Sequence, residues 1–297
     1  LCGAELGRDE AREKYNMLPK WRLLPKQFGE YKKKKIFEVE EICVGTNTMS
    51  YKDYLKCRQF SFIACLLPNK VLTPFHKIID KLDITMFDFA LALIKNLEKP
   101  ENNGKFKKIY NDFKKESEKE LFRSKEEAIN FYQKKENYSK LLFGEVGENL
   151  LGKYIALSLL SINDLFDAVF HTLINEFKNK MEEDFNYVIE DSKKYVKNLY
   201  MIGDMFNNRK NDDQKINTIK LNFDFPAWLN NTELNFNQFK KQTNYKFYND
   251  LQNLNFLRNQ INVLSGGKKI QNYIPFGRFL MQFPSSTPLF YKKIERI

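Results

Sequence analysis

One stretch limits the possible folds more than any other: residues 20–67, KWRLLPKQFGEYKKKKIFEVEEICVGTNTMSYKDYLKCRQFSFIACLL. Two β-like runs, 21–31 and 36–46, flank Lys32, Lys33, Lys34 and Lys35, which are too charged to bury or to stack on another sheet edge. The pattern predicts a β-hairpin with the lysines at its turn. In the second run Phe37 and Val39 alternate with Glu38 and Glu40, and beyond Glu41 the apolar positions change parity to Ile42 and Val44. One extra residue in a bulge at Glu40 and Glu41 accounts for the change. Ser50 then stands three residues before Asp53, a variant of the capping box. Tyr54, Leu55, Phe62, Ile63, Leu66 and Leu67 follow at helical spacing until Pro68 ends the helix.

The same stretch carries a family resemblance. EICVGTNTMSYKDYLKCR, preceded by WRLLPKQFG and by LCGAELGRDEAREKYNM, resembles the region just after the barrel in cobalamin-binding radical S-adenosylmethionine (radical SAM) proteins. It covers about the first fifth to quarter of the chain. The sequence departs from the family at Ala4, where Thr is expected, and at Leu6, where Met is expected, and the defining Cys-x3-Cys-x2-Cys motif does not occur in these residues. The resemblance implies the trailing edge of a (β/α) barrel, a hairpin that seals it, and a helical region over the substrate side. It implies a [4Fe-4S] cluster, S-adenosylmethionine and cobalamin held by amino-terminal domains outside this sequence, acting by radical-based modification or methylation of a small-molecule substrate. The start at Leu1-Cys2-Gly3, without an initiator Met, reads as a fragment lacking those domains.

Beyond Pro68 the periodicity turns helical. Thr73 and Pro74 open one helix with Phe75, Ile78, Ile79 and Leu82 as its buried stripe, and Asp83 caps the next, where Phe87, Leu91 and Ile94 together with Phe89, Ala90 and Leu93 imply burial on more than one side. A charged helix from Lys105 and a second one opened by the box Ser124-x-x-Glu127 follow, then strongly apolar helices over 149–160 and 163–181 and a further one over 183–201. Residues 205–214 have linker composition. After them come a strand over 217–225, a short run 245–248, a helix 250–264 ended by Gly266 and Gly267, and two apolar runs, 278–283 and 288–294, that read as a hairpin. The fold class expected is α+β, predominantly α-helical: a barrel edge with hairpin and helix at 1–67, a helical bundle at 68–204, and a linker with a small α/β tail at 205–297.

With 27 Phe and 15 Tyr in 297 residues, a sizeable core is available. No window reaches the apolar length of a membrane span, and the start lacks a signal-peptide layout, so a cytoplasmic protein without a membrane span is expected. Cys2, Cys43, Cys57 and Cys65 are irregularly spaced and fit reduced structural thiols rather than a cluster loop. His76 and His171 stand alone, which excludes a zinc pair of short spacing. The net charge of +11 arises from lysine pairs interleaved with acids, the pattern of a solvated surface rather than a phosphate-binding face. FNQFKKQTNYKFYNDL could stack bases, although a strand with one buried face gives the same pattern.

Five residues are candidates to meet a substrate or cofactor. By the resemblance, Glu5 lies at the carboxyl end of a barrel strand, where barrel chemistry sits; otherwise it caps or pairs with Arg8. Asn47 and Thr48, with Thr46 and Ser50, stand between strand and helix, where short polar side chains and free helix-start amides can meet an anion or simply cap the helix. Arg22 and Tyr51 flank them. No residue of this chain is expected to be catalytic or to bind metal by itself. The rival classes are a non-enzymatic helical interaction module docking through 20–67 and, behind it, a basic nucleic-acid-binding accessory protein.

Overall fold

A computed structural model of the chain describes residues 7–181, 185–206, 216–266, 271–282 and 287–297. Its elements begin with α1 (Asp9–Lys14), β1 (Leu18–Tyr31), β2 (Lys34–Gly45), α2 (Tyr51–Leu66), α3 (Thr73–Lys81), α4 (Met86–Glu98) and α5 (Lys105–Lys119). They continue with α6 (Lys125–Gln133), α7 (Lys135–Leu142), α8 (Leu150–Leu160), α9 (Ile162–Glu176) and α10 (Phe185–Leu199). The last third holds β3 (Asn217–Leu221), α11 (Phe225–Leu229), β4 (Thr243–Tyr248), α12 (Leu251–Ser265), α13 (Tyr273–Gln282) and β5 (Lys293–Arg296). The protein is therefore α+β and mainly helical, with small antiparallel sheets. Two compact units divide it: Leu1–Phe62 with Tyr110–Tyr154, and Ile63–Ile109 with Ile155–Ile297. These are discontinuous in sequence, unlike the contiguous segments ending at 67 and 204 that composition suggested.

In the first unit β1 and β2 form a two-stranded antiparallel hairpin. Its loop is shorter than the sequence implied, because Lys34 and Lys35 already pair with Tyr31 and Glu30. Lys32 and Lys33 alone make the turn, both in the left-handed region (φ 47 and 62), the backbone of the two-residue turn that matches strand twist. The expected bulge at Glu40 and Glu41 is not there: Trp21 faces Glu41 and Arg22 faces Glu40 in unbroken register. The larger irregularity lies in β1, between Leu23 and Phe28, where Lys26 takes φ 64 and its amide donates to the Gly147 carbonyl (3.0 Å). β2 does carry one extra residue, but at Val44, where Leu18 faces Gly45 and Pro19 faces Cys43; the register is unbroken from Val39 to Ile42, so Ile42 already falls on the face opposite Phe37 and Val39.

One face of the hairpin closes the core of this unit. Leu23 packs with Phe122, Ala128, Tyr132, Tyr138 and Leu141, and Trp21, Phe28, Phe37, Val39 and Val146 pack against them. The backbones of Trp21 and Phe122 exchange both amide hydrogen bonds (3.0 and 2.7 Å), extending the outer edge of β1 by one bridge. Helix α6 begins on the box read from sequence: the Glu127 amide donates to Ser124 Oγ and the Arg123 amide to Glu127 Oε2. Gly147, at φ +75, approaches Leu141 and Leu23 so closely that a Cβ would lie 2.4 and 3.0 Å from their methyl carbons.

In the second unit α9 is the central helix, with α4 and α10 packed on it. Leu165, Phe166, Val169, Phe170 and Leu173 are fully buried along it. The stripe Phe75, Ile78, Ile79 and Leu82 of α3 is buried as its spacing required. The cap is displaced by one residue: Leu72 is the N-cap and Thr73 Oγ1 donates back to the Lys70 carbonyl. Thr85, not Asp83, caps α4, through a bond from the Asp88 amide, and Phe87 and Leu91 are 59% and 46% exposed, so α4 buries one face only. Strands β3, β4 and β5 form a sheet in that order. On β4 Thr243, Tyr245 and Phe247 are buried while Asn244 faces outward, so the aromatic rings are core rather than a base-stacking surface. Gly266 closes α12 in the left-handed conformation. Residues 278–282 of the expected 278–283 strand are instead the end of α13, whose Tyr273, Ile274, Phe276 and Phe279 recur at helical spacing, and Phe283 lies outside the described residues. Residues 293–296 pair with β4 rather than with that run. Most of the 205–214 linker segment lies outside the described residues.

No single helix among the described residues is long and apolar enough to cross a membrane. Helices α8 and α9 reach that composition only as a pair bent by 89°.

Candidate functional site

The polar residues of the first unit converge where α2 and the end of α5 meet the hairpin. Arg22 on β1 and Glu40 on β2 are cross-strand partners by register, and Arg22 Nε donates to Glu40 Oε1 at 2.6 Å. The Trp21–Phe122 bridge draws the residues after α5 alongside, which sets Glu120 Oε1 3.6 Å from the same guanidinium. Helix α2 supplies the third side. Tyr51, Tyr54 and Arg58 fall at i, i+3 and i+7, one face of a helix, and Arg58 Nη2 donates to Glu120 at 2.8 Å. The Arg58 guanidinium lies 5.8 Å from the Phe113 ring centre, and its Nε is buried without a partner.

Burial decides the electrostatics. Glu120 has only 18% of its side chain exposed. Loss of water pushes its carboxyl above the ordinary range, and the charges of Arg58 and Arg22 only partly offset this. Burial works against the charge of Arg22, but the Glu40 hydrogen bond and the Glu120 charge outweigh it and hold its pKa up. Tyr54 sits in the same field, its hydroxyl raised by burial and drawn back by Arg58 and Arg22. The four charges cancel, so the cluster acts as a clamp that fixes hairpin, helix and the end of α5 to one another.

Of the residues singled out from sequence, Arg22 is at the centre of this cluster and Tyr51 at its border. The Tyr51 ring stacks on Tyr54 (6.3 Å, 12°), and Lys20 Nζ lies 5.7 Å from its centre. Burial, then the charge of Glu118, raises the Tyr51 hydroxyl. Asn47 and Thr48 form a separate group in the loop 46–50. Thr46 Oγ1 accepts from the Thr48 and Met49 amides, the Thr46 amide donates to Met49 O, and the Asn47 amide donates to Tyr15 O. Both side chains are exposed. The helix start is already occupied by a carboxylate: Ser50 Oγ and the Ser50 amide donate to Asp53 Oδ2, and the Asp53 amide donates to Ser50 Oγ. That arrangement caps α2 and discourages a second anion there. Glu5 lies outside the described residues. Glu40, Arg58 and Glu120 were not anticipated. The spacing from Tyr51 to Arg58 was available as a signal, but the Arg58–Glu120 pair spans 62 residues and leaves no trace in local pattern.

Among the described residues the thiols do not converge as an iron–sulfur cluster requires. Cys43 lies on β2, with its Sγ donating to the Gly45 carbonyl, and Cys57 and Cys65 lie on α2, separated by about 12 Å of helix rise. All three are exposed, and among the described residues no group of three or more His, Cys, Asp or Glu is placed to hold a metal ion. A cluster needs several thiolates converging on it. His76 contacts the Leu67 carbonyl, and His171 contacts Asn96 and Asn175. No protein-family model and no curated protein sequence matches the chain.

Proposed function

We propose that this chain is the carboxyl-terminal part of a cobalamin-dependent radical SAM enzyme. In this reading the hairpin β1–β2 and helix α2 seal the catalytic barrel, and the loop 46–50 with Arg22 and Tyr51 faces the substrate side. The cluster, S-adenosylmethionine and cobalamin belong to domains upstream of Leu1 in this reading. The supporting observation is the junction at Gly45. There a long strand ends, Thr46 closes a tight loop, and the box Ser50–Asp53 starts a helix, the strand, loop and helix order that the resemblance of EICVGTNTMSYKDYLKCR requires. The clamp of Arg22, Glu40, Arg58 and Glu120 gives this junction the rigidity that presenting a loop to substrate demands.

The test is to read the codons upstream of Leu1 in frame. A Cys-x3-Cys-x2-Cys loop followed by alternating strands and helices is expected. An initiator codon within a few residues of Leu1 would refute the reading. It would favour instead a non-enzymatic helical interaction module, for which the exposed Tyr31 and Ile36 beside the hairpin turn offer apolar contact surface.

A further inference from the structure

The second unit contains a cleft of about 520 Å³ that owes nothing to the reading of the hairpin. Its walls bring together Lys77 from α3, Tyr195 from α10, Asp224 before α11, Tyr245 from β4 and Arg296 from β5. Asp224 is buried and saturated. Its Oδ1 accepts from the Tyr245 hydroxyl and the Ala227 amide, and its Oδ2 lies 3.4 Å from Arg296 Nη1. Arg296 is half exposed, and this single contact leaves most of its planar donor fork available. Lys77 Nζ donates once, to the Leu229 carbonyl, and an ammonium has three protons to give.

Tyr195 supplies the observation that points to a ligand. The residue is 6% exposed, and its ring is fixed edge-on between Phe225 (5.2 Å) and Phe247 (5.7 Å). It lines the cleft, its hydroxyl bonds to no other described residue, and it is not one of the fully enclosed polar atoms, so this donor is open to the cleft. Burial of the residue raises the pKa of this hydroxyl, keeping it a neutral donor that a ligand in the cleft can meet. Lys77 and Arg296 against Asp224 leave the cleft one positive charge in excess, which suits a monoanion better than a dianion. Pro226, Leu229 and Ile294 give the cleft an apolar surface, beside which Thr73, Asn230 and Tyr291 add polar groups.

We propose that this cleft binds a small organic carboxylate with an apolar body. The carboxylate meets the donors of Arg296 and Lys77 and accepts from the Tyr195 hydroxyl, while the body lies on the apolar wall. The dimensions are those of small-molecule sites, mostly apolar with a few convergent polar groups.

Isothermal titration calorimetry of the whole chain with 2-naphthoate tests this, with 2-naphthalenemethanol and 2-naphthyl phosphate as neutral and dianionic controls. Saturable one-to-one binding of 2-naphthoate is expected, at least about tenfold tighter than either control. Tyr195→Phe should weaken it about tenfold, the effect of one hydrogen bond to a charged acceptor, without lowering Tm, because the hydroxyl has no protein partner to lose. Arg296→Gln should weaken it by more. No saturable binding at millimolar 2-naphthoate, equal binding of the alcohol, preference for the phosphate, or unchanged affinity in a folded Tyr195→Phe protein would each overturn the proposal.

Discussion

Replacing Arg58 with Met tests whether the buried charge cluster holds the first unit together. Methionine keeps the apolar length over Phe113 but removes the closer of the two cations on Glu120. Stripping one partner from a fully buried ion pair costs about 3–5 kcal/mol. Here the side chains retain 16% and 18% exposure and Arg22 remains 3.6 Å away, so about half of that, roughly 2 kcal/mol at pH 7, is expected. The protein has only two tryptophans, and Trp21 lies in the first unit while Trp228 lies in the second. In a Trp228→Phe background, Trp21 fluorescence during urea unfolding reports on the first unit alone. Trp228 Nε1 has no hydrogen bond to lose in making that background. A loss of roughly 2 kcal/mol moves the midpoint down by about 1 M. The effect has a pH signature. Glu120 already has a raised pKa from burial, and losing Arg58 raises it further. A carboxyl whose folded pKa exceeds its unfolded one stabilises the fold while protonated, and that stability is lost as pH rises through the folded pKa. The variant and the parent should therefore converge toward pH 4, where the proton removes the charge Arg58 balanced, and diverge toward pH 7. A midpoint shift below about 0.2 M at pH 7, or one equal at both pH values, would refute the reasoning. Adding Glu120→Gln to Arg58→Met should recover most of the loss.

Three further outcomes follow from local geometry. Lys33→Gly, at φ 62 in the hairpin turn, should raise stability by about 0.5–1 kcal/mol in chemical denaturation, because glycine takes the left-handed conformation without penalty. Gly147→Ala should lower it by about 2 kcal/mol or more, since φ +75 strains any side chain and the new methyl meets Leu141 Cδ2 at 2.4 Å; thermal melting of the purified variant checks this. Above pH 10 stability should fall steadily. Tyr132 and Tyr291 are each pushed up to about 12 by burial, so the unfolded chain loses these protons first and is favoured through that window. Absorbance at alkaline pH should show a class of phenols that ionises only with unfolding.

Where sequence and structure agree, the signals were local. The boxes Ser50–Asp53 and Ser124–Glu127 and the stripe Phe75, Ile78, Ile79 and Leu82 each depend on residues within one or two helical turns, and each forms as its spacing requires. Misreadings arose where a partner distant in sequence decides the outcome. Pattern places the extra residue of β2 at Glu40 and Glu41 rather than at Val44 because β1, itself irregular between Leu23 and Phe28, cannot be aligned to it by pattern alone. Pro275 and a run of few residues disguised α13, although proline is tolerated in a first turn. Phe87 and Leu91 fit a core helix by composition, but α4 has only one covered face. The clamp illustrates the same limit in the candidate site. Arg22 and Tyr51 were legible because they flank the loop, whereas Glu120 reaches them only through the Trp21–Phe122 bridge.

That bridge sets a timetable for a chain made from one end. Trp21 emerges from the ribosome about 100 residues before Phe122, an interval of roughly 5–20 s at ordinary rates of synthesis. Once Gly45 has followed, the hairpin is complete in sequence, but the apolar row of Trp21, Leu23, Phe28, Phe37 and Val39 has nothing to cover it. The stretch Ile63–Ile109, translated before Phe122, belongs to the other unit. The nascent hairpin is thus a natural client for a chaperone. Its lysine turn, adjoining Lys34 and Lys35, serves as a gatekeeper against pairing with neighbouring chains on the same message.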